Sequence, residues 1–413
     1  MTFSSLMNAI ALTFYIIILA WYSHQTRVLG HGFLGNYGKS RPYEEGLCAS
    51  LISIHGYKCQ ELEVTTNDGY ILSIQRILEG RVKVEGNVTK EPVIVQHGVM
   101  VDGATWFMNS PEQNLPMILA DNNFDVWVVN TRGTKYSRKH TYLDASRQEY
   151  WHWSWDELVT YEMPAIFDYV SKETGQKIHY VGHSLGTLVA LVSLAEGKWE
   201  NQIKSVALLS PIAYLSRIKT EIGVIAAKSL LGESLTVLHI AEFDPKGIPV
   251  ADFIKNICVE NGLNCNDLFT LITGPNCCLD RTAFDDFMKV EPQSSSTRNL
   301  LHLAQTVRTD RLSKYDFMRP HLNLFHYGQL NPPSYDLSKI PNNIPIFMSY
   351  GGTDALADVA DVQKLLNDHF QDHDKDKLSV QFIPNYAHGD YMFATNANQL
   401  VYTNVTSFFK RKF

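Results

Sequence analysis

The amino-acid sequence predicts an α/β protein, in which a mostly parallel central sheet has helices on both faces and carries an inserted helical cap. Two observations support this prediction. Short apolar runs recur along the chain, as is typical of parallel strands that are buried on both faces. A long segment with helical spacing of its apolar residues interrupts the series of strands. The strand candidates are 93–96, 126–130, 178–181, 206–210, 344–350 and 378–383.

The interruption between the fourth and fifth strand candidates is far longer than an ordinary crossover connection. Apolar residues follow a helical spacing over 222–231, 250–259 and 300–307, which predicts a helical cap, or lid, above the sheet. The same helices would suit a second hydrophobic core, because periodicity does not distinguish the two. The predicted division of the chain is a signal peptide (1–28), a first core segment (29–213), the cap (214–341) and a second core segment (342–413).

The third strand candidate runs directly into Gly182-His183-Ser184-Leu185-Gly186, and a helical pattern follows over 185–196. This context of strand, turn and helix is that of a nucleophile elbow, which presents a serine on a sharp turn. Ser184 is therefore the candidate nucleophile. Gly182 and Gly186 leave room for the crossing backbone, and the helix N-terminus directs free N–H groups at any oxyanion that forms.

An aspartate and a histidine follow the last two strand candidates, in the order Ser, Asp, His that is found in such hydrolases. Asp354 comes shortly after the fifth candidate and His388 after the sixth. Because ligands of open α/β sheets lie beyond the carboxyl ends of the strands, we expect these two residues to converge on Ser184. His388 would accept the serine proton, and Asp354 would orient the imidazole. Asp358 is the rival acid, although we expect it in the next helix, where it would complement the N-terminus.

The predicted oxyanion hole uses two backbone N–H groups. Hydrolases take one from the residue after the nucleophile and one from the loop after an early strand. The first strand candidate ends in Gln96 and continues into His97-Gly98-Val99. These positions nominate the N–H groups of Leu185 and Val99. A site of this kind requires neither a metal nor an organic cofactor.

Several segments together resemble the acid lipases, the family of gastric and lysosomal lipases. They are 96–99, 127–133, 182–186 and 351–354. Further segments, among them Ser210-Pro211-Ile212-Ala213-Tyr214-Leu215, resemble the plant branch of that family, the secreted triacylglycerol lipase 1/2-like proteins.

The resemblance extends from about Tyr43 to the C-terminus and implies the α/β-hydrolase fold. It also implies lipase activity. In that family the catalytic residues fall on Ser184, Asp354 and His388, and the oxyanion donors fall on Val99 and Leu185.

Residues 6–22 are mostly apolar and follow no Lys or Arg, which we interpret as a secretory signal peptide. An uncleaved signal anchor is the alternative. The secretory route would make two glycosylation sequons usable, at Asn87 and Asn404. The expected location is therefore extracellular or vacuolar.

The six cysteines fit an oxidising compartment. Cys48 and Cys59 are close enough in sequence to form a disulfide. In the cap, the two adjacent cysteines are expected to bond separately to the other two, because neighbouring residues bridge only with strain. The absence of a C-x-x-C pair argues against a metal site. The four cap cysteines are Cys258, Cys265, Cys277 and Cys278.

The sequence thus predicts a secreted serine lipase or esterase that hydrolyses triacylglycerol-like lipid esters through an acyl-enzyme. The expected partner is the lipid ester, met at a lipid–water interface, with no obligate protein partner. The net charge of −7 argues against nucleic-acid binding. Three alternatives stay open: a steryl-ester hydrolase, an acyltransferase on the same triad, and a binding protein on a hydrolase scaffold.

Overall fold

The computed structural model describes residues 46–81, 89–228, 239–247 and 267–412, together with Glu233 and Thr236. The predicted signal peptide, the sequon at Asn87, the helix expected at 250–259, and both Cys258 and Cys265 lie outside these residues. Within the described part of the chain, no helix combines the length and apolar character that crossing a membrane requires.

The described strands form one large sheet and one small two-stranded sheet. They are β1 (Lys58–Thr65), β2 (Tyr70–Glu79), β3 (Glu91–Gln96), β4 (Phe124–Val129), β5 (Lys139–His140), β6 (Ile178–His183), β7 (Ile203–Leu209), β8 (Glu242–Phe243), β9 (Ser295–Ser296), β10 (Ile346–Gly351) and β11 (Leu378–Ile383).

Helices occupy most of the connections between these strands. They are α1 (Leu115–Asp121), α2 (Trp155–Glu157), α3 (Met163–Thr174), α4 (Leu185–Ala195), α5 (Glu221–Lys228), α6 (Leu268–Thr273), α7 (Arg281–Val290), α8 (Thr297–Thr309), α9 (Pro320–Tyr327), α10 (Val359–His369), α11 (Asp390–Phe393) and α12 (Thr403–Phe409).

The large sheet has the strand order β1-β2-β4-β3-β6-β7-β10-β11, with β5 beside β2. Strands β3, β4, β6, β7, β10 and β11 are parallel, whereas β1 and β2 form an antiparallel edge. This arrangement confirms the predicted α/β class. It also places the loops after β3, β6, β7, β10 and β11 at one edge of the sheet, because parallel strands end on the same side.

The parallel strands carry apolar side chains on both faces of the sheet. Alternate residues of each strand therefore belong to two separate cores. In β4, Trp127 and Val129 pack into the core that contains α3 and α4. Val126 and Val128 of the same strand pack into the core that contains α1 and α12. This burial on both faces is the reason that the parallel strands have uninterrupted apolar sequences.

The segment between β7 and β10 contains α5 to α9 and the small sheet β8–β9. We call this segment, residues 210–345, the insertion. Its helices α5 and α8 overlap the apolar patterns at 222–231 and 300–307. Helices are therefore the main regular structure of the described part of the insertion, as its periodicity predicts.

The structure pairs Cys48 with Cys59, whose Cα atoms lie 5.4 Å apart. Cys277 and Cys278 are bonded to each other, so the expectation that they pair separately with Cys258 and Cys265 is wrong. That prediction assumed that two adjacent cysteines would form a disulfide only with unfavourable strain. Here the backbone N–H groups of both residues are held by the carboxylate of Asp390, at 3.1 Å each, which fixes that turn.

Arg132 lies in the loop after β4, and its side chain contacts three residues that are distant from it in sequence. Its guanidinium is fully buried and pairs with Asp68 at 2.6 Å and with Glu162 at 3.1 Å. It also lies 4.0 Å from the ring centre of Tyr70. A buried cation of this kind is tolerated only when charged partners compensate it.

We predict that Arg132→Ala lowers the free energy of unfolding by about 3–5 kcal/mol, because it leaves the carboxylates without their buried counter-charge. The exposed pair between Lys139 and Glu63 provides the control, and Lys139→Ala should cost about 1 kcal/mol or less. Urea unfolding of both variants measures the difference. Equal losses would contradict this assignment.

Candidate active site

Ser184 occupies the turn between β6 and α4 in a strained backbone conformation. Its φ is 54° and its ψ is −119°, an uncommon region for a residue other than glycine. The turn is crowded, since a Cβ added to Gly182 would lie 2.7 Å from the backbone of Gly186. A Cβ added to Gly186 would lie 2.9 Å from Gln96. These contacts explain the two glycines of the elbow pattern.

The structure brings His388 and Asp354 together at the carboxyl ends of β11 and β10. His388 Nδ1 lies 3.0 Å from Asp354 Oδ2 and 3.1 Å from Oδ1. Both residues are buried. His388 is also beside the elbow, because its ring centre is 4.7 Å from that of His183 and its carbonyl accepts a bond from His183 Nε2 at 3.2 Å.

Asp354 remains ionised although it is buried. Burial opposes the charge, but the His388 ring and several hydrogen bonds keep the pKa of this carboxyl below its ordinary value. Its Oδ1 accepts backbone N–H bonds from Leu356 at 2.9 Å and Ala357 at 2.8 Å. A carboxylate fixed in this way can hold the Nδ1–H tautomer of His388. His388 Nε2 then remains a base, and it accepts no hydrogen bond from any described residue.

The loop after β3 packs directly on Ser184. A Cβ added to Gly98 would lie 3.0 Å from the Cβ of Ser184. His97 fixes this loop, because its Nε2 accepts from the Thr131 N–H at 3.0 Å and its Nδ1–H donates to the Gly98 carbonyl at 2.7 Å. Burial lowers the pKa of His97 to about 4, so the ring stays neutral.

The two predicted oxyanion donors adjoin these contacts, and their role in binding an oxyanion stays a prediction. Val99 follows the packed Gly98. Leu185 is the first residue of α4, and the first N–H groups of a helix have no carbonyl partner within it.

Asp358, the rival acid, caps α10 and does not contact His388. Its Oδ1 accepts from the Ala360 N–H at 2.8 Å, and its Oδ2 pairs with Lys219 at 2.6 Å. It sits one position before the helix, so its carboxylate satisfies a free N–H group at the N-terminus.

Sequence reasoning missed a further polar contact at this edge. The hydroxyl of Ser210, the residue after β7, donates to Asp354 Oδ2 and lies 2.7 Å from His388 Nδ1. Two signals were present in the sequence: Ser210 is the last residue of the fourth strand candidate, and it begins the segment 210–215 that resembles the plant branch. Its approach to Asp354 depends on the pairing of β7 with β10, which the sequence does not reveal.

The insertion clamps the loops that carry Asp354 and His388. The Thr273 carbonyl accepts N–H bonds from His388 at 3.1 Å and from Ala355 at 3.2 Å. On the other side of the histidine, Asp390 accepts from the Ala387 N–H at 2.8 Å and from the two cysteines 277 and 278. The positions of the acid and the base therefore depend on residues of the insertion.

A second contact joins the insertion to the loop after β3. Glu291 Oε1 accepts from the Asp102 N–H at 3.1 Å and from the Thr105 hydroxyl at 2.9 Å. The two carboxyl groups are buried, and Asp102 Oδ2 and Glu291 Oε2 have no partner among the described residues. Burial raises the pKa of Asp102 to about 6, and burial together with the nearby Asp102 raises that of Glu291 well above its ordinary value.

The fold and the arrangement of this site define an α/β-hydrolase. Residues 91–238 match the family model of the α/β hydrolase fold, and residues 48–110 match that of a partial α/β-hydrolase lipase region. The chain belongs to the acid lipase family. It is 52% identical over 383 residues to triacylglycerol lipase 2 of Arabidopsis thaliana, covering 92% of this chain and 91% of that protein.

More distant relatives cover the chain almost as fully. Triacylglycerol lipase 1 of Arabidopsis thaliana is 34% identical over 366 residues, covering 89% of this chain and 91% of its own length. Human gastric triacylglycerol lipase is 32% identical over 394 residues, covering 92% of this chain and 95% of its own length. These matches confirm the resemblance inferred from the motifs.

Among solved structures, a soluble variant of Saccharomyces cerevisiae monoglyceride lipase with a substrate analogue superposes with a TM-score of 0.52. It shares 14% identity and covers 89% of this chain and 98% of its own. A lipase in its open form gives a TM-score of 0.53 at 14% identity, covering 85% and 98%. At this identity the likeness shows the fold alone.

We predict that the buried pair Asp102–Glu291 makes the fold more stable at acidic pH. Because both pKa values are raised on folding, the native state binds more protons than the unfolded state above about pH 4. Stability is therefore lost as the pH rises through about 6, by roughly 3 kcal/mol from Asp102 alone. Urea unfolding from pH 4.5 to 7.5 measures this slope.

Glu291→Gln should reduce the dependence to the part that Asp102 contributes, because the amide cannot ionise, whereas Glu149→Gln at an exposed position should leave it unchanged. An unaltered slope in Glu291→Gln would show that the pair does not control it.

Proposed function

We propose that this protein is a serine lipase that hydrolyses carboxylic esters of lipids, with Ser184, His388 and Asp354 as its catalytic triad. The observation that carries the proposal is the buried pair of His388 and Asp354 beside a serine held on a strained turn. The curated relatives named triacylglycerol lipases support the choice of lipid esters.

The proposed reaction has two halves. His388 Nε2 removes the proton of Ser184 while the serine oxygen attacks the ester carbonyl, and the oxyanion is bound by the N–H groups of Val99 and Leu185. His388 then gives that proton to the leaving alcohol. In the second half His388 activates a water that hydrolyses the acyl-enzyme. Asp354 stays ionised and stabilises the imidazolium in both halves.

We further propose that the insertion is the cap of this site. Its residue Thr273 binds the loops of the base and the acid, and Glu291 contacts the loop after β3. A cap connected in this way would position catalytic groups as well as cover an acyl chain.

The proposed substrate surface is a lipid–water interface, which the protein would meet through α9 and its flanks. Met318, Leu324, Phe325 and Leu330 are large apolar side chains exposed to solvent, and Phe325 is 82% exposed. We call these four residues the apolar patch. Residues 317–335 contain no carboxylate in a chain of net charge −7, so this segment would not be repelled by phosphate groups of a lipid surface.

The secretory pathway is the proposed route. The apolar N-terminal segment supports it, and so does the disulfide of Cys48 and Cys59, which requires an oxidising compartment. Asn404 is exposed at α12, although the hydroxyl of its sequon residue Thr406 is buried and donates to the Tyr402 carbonyl at 2.8 Å. Glycosylation at Asn404 remains a prediction.

The triad is tested by comparing matched variants on a soluble short-chain ester. We expect Ser184→Ala to lose turnover by about 10⁶-fold. Asp354→Asn should lose up to about 10⁴-fold, because the amide cannot hold the correct tautomer of His388. Asp358→Asn is the control, which should keep its turnover and its helix cap, because asparagine caps helices as well as aspartate does, and should lose only the ion pair with Lys219. Near-normal turnover in a purified Ser184→Ala would refute the mechanism, and a reversed order of Asp354 and Asp358 would reassign the acid.

The apolar patch is tested by Phe325→Asp. Removing a large side chain from the lipid contact should reduce hydrolysis of a triolein emulsion about tenfold and leave that of a soluble short-chain ester unchanged. Ile54→Asp is the matched control, since Ile54 is 66% exposed outside the patch. Equal loss on both substrates, or equal loss in both variants, would rule out the patch as the lipid contact.

A further inference from the structure

The hydroxyl of Ser210 connects the acid and the base of the proposed triad. It donates to Asp354 Oδ2, and its oxygen lies 2.7 Å from His388 Nδ1. The third side of this triangle is the contact between His388 Nδ1 and Asp354 Oδ2, at 3.0 Å. Ser210 is fully buried, so no solvent competes for these bonds.

The backbone around Ser210 is arranged to bring the hydroxyl there. Its φ is 54°, in the left-handed region that residues other than glycine rarely adopt. Its N–H donates to the Ser349 carbonyl of β10 at 2.8 Å, and Pro211 follows directly. Such a conformation persists only where its surroundings impose it, and it is frequent at functional sites.

Proton positions in the triangle follow from the chemistry of its groups. An ionised carboxylate only accepts hydrogen bonds, so the hydroxyl proton of Ser210 must face Asp354. The lone pairs of its oxygen then face His388 Nδ1–H, which is shared between Asp354 and Ser210. When His388 accepts the proton of Ser184, the resulting imidazolium has two oxygens at Nδ1 instead of one carboxylate.

We propose that Ser210 is a positioning residue of this active site, whose hydroxyl orients Asp354 and His388 and stabilises the imidazolium through Asp354. This inference rests on the proposed serine mechanism. It also assigns a role to the Ser210-Pro211 segment, which the three residues of the triad do not explain.

The role has a consequence for acidic pH. The bond from Ser210 is one of the interactions that keep the pKa of Asp354 low. Among the described residues, the other titratable groups that interact electrostatically with Asp354 or His388 include His183, Asp390 and Tyr391. Burial raises the pKa of Tyr391 well above its ordinary value, so this group stays neutral. Burial lowers the pKa of His183 to about 3, and burial raises that of Asp390. Loss of the Ser210 hydroxyl should therefore change the balance of charge between Asp354 and His388 and shift the acid limb of activity.

The experiment compares Ser210→Ala and Ser210→Gly on a soluble short-chain ester. Glycine adopts a positive φ without strain, so it separates the hydroxyl from the backbone. Both variants should lose kcat by about tenfold or more with little change in KM, because a hydrogen bond to a charged group is removed. In both, the acid limb of kcat/KM should shift from that of the unmodified protein.

The control is Ser349→Ala, which removes another buried hydroxyl at this edge. Ser349 Oγ bonds to Gln381 at 3.0 Å and to Tyr391 at 3.2 Å. This variant should keep the kcat and pH profile of the unmodified protein. Thermal unfolding checks that all variants are folded.

A double-mutant comparison tests whether Ser210 acts through Asp354. In the Asp354→Asn background, removal of the Ser210 hydroxyl should reduce kcat much less than it does alone. Unchanged kcat and pH profile in folded Ser210→Gly would overturn the inference, and so would recovery of activity by Ser210→Gly relative to Ser210→Ala. If Ser184→Ala is inactive while Ser210→Gly is normal, only this inference fails. If Ser184→Ala is active, the proposed function fails first.

Discussion

One crowded turn between β6 and α4 determines the chemistry that this chain can perform. Ser184 is held at a φ of 54°, and added Cβ atoms at Gly98, Gly182 and Gly186 would come within 3.0 Å of their neighbours. A backbone conformation of this kind costs on the order of 1–3 kcal/mol. The burial of every residue of α4 offsets that cost. The surrounding core therefore keeps the serine in a position that an isolated turn would not maintain.

The same edge of the sheet also controls the charge of buried groups. His97 and His183 are kept neutral by burial, which lowers the pKa of the first to about 4 and of the second to about 3. Asp354 stays ionised because His388, Ser210 and backbone N–H groups compensate its burial. One negative charge thus faces Nδ1 of His388, and Nε2 of the same ring has no hydrogen-bond partner among the described residues. This asymmetry is what general-base chemistry requires.

The sequence predicted the parts of this protein whose signals are local. Uninterrupted apolar runs identified the parallel strands, and residues that follow strand ends identified Ser184, Asp354 and His388, which the structure brings to one edge. Features that depend on contacts between distant parts of the chain were not predicted from the sequence. Sequence reasoning gave no bounds for the half-buried β1 and β2, and it missed Ser210, whose contacts depend on strand order and on a positive φ. It was wrong about Cys277 and Cys278, because that turn is fixed by Asp390, more than a hundred residues away.

The most direct test of this account is covalent labelling of the folded protein with a fluorophosphonate, followed by peptide mass spectrometry. Such a reagent reacts with a serine whose hydroxyl is activated by a neighbouring base. The account predicts one adduct per chain, on the peptide that contains Ser184, and much slower labelling when Asp354 is replaced by asparagine. Labelling at another serine, or none in a folded preparation, would contradict the assignment of Ser184 as an activated nucleophile.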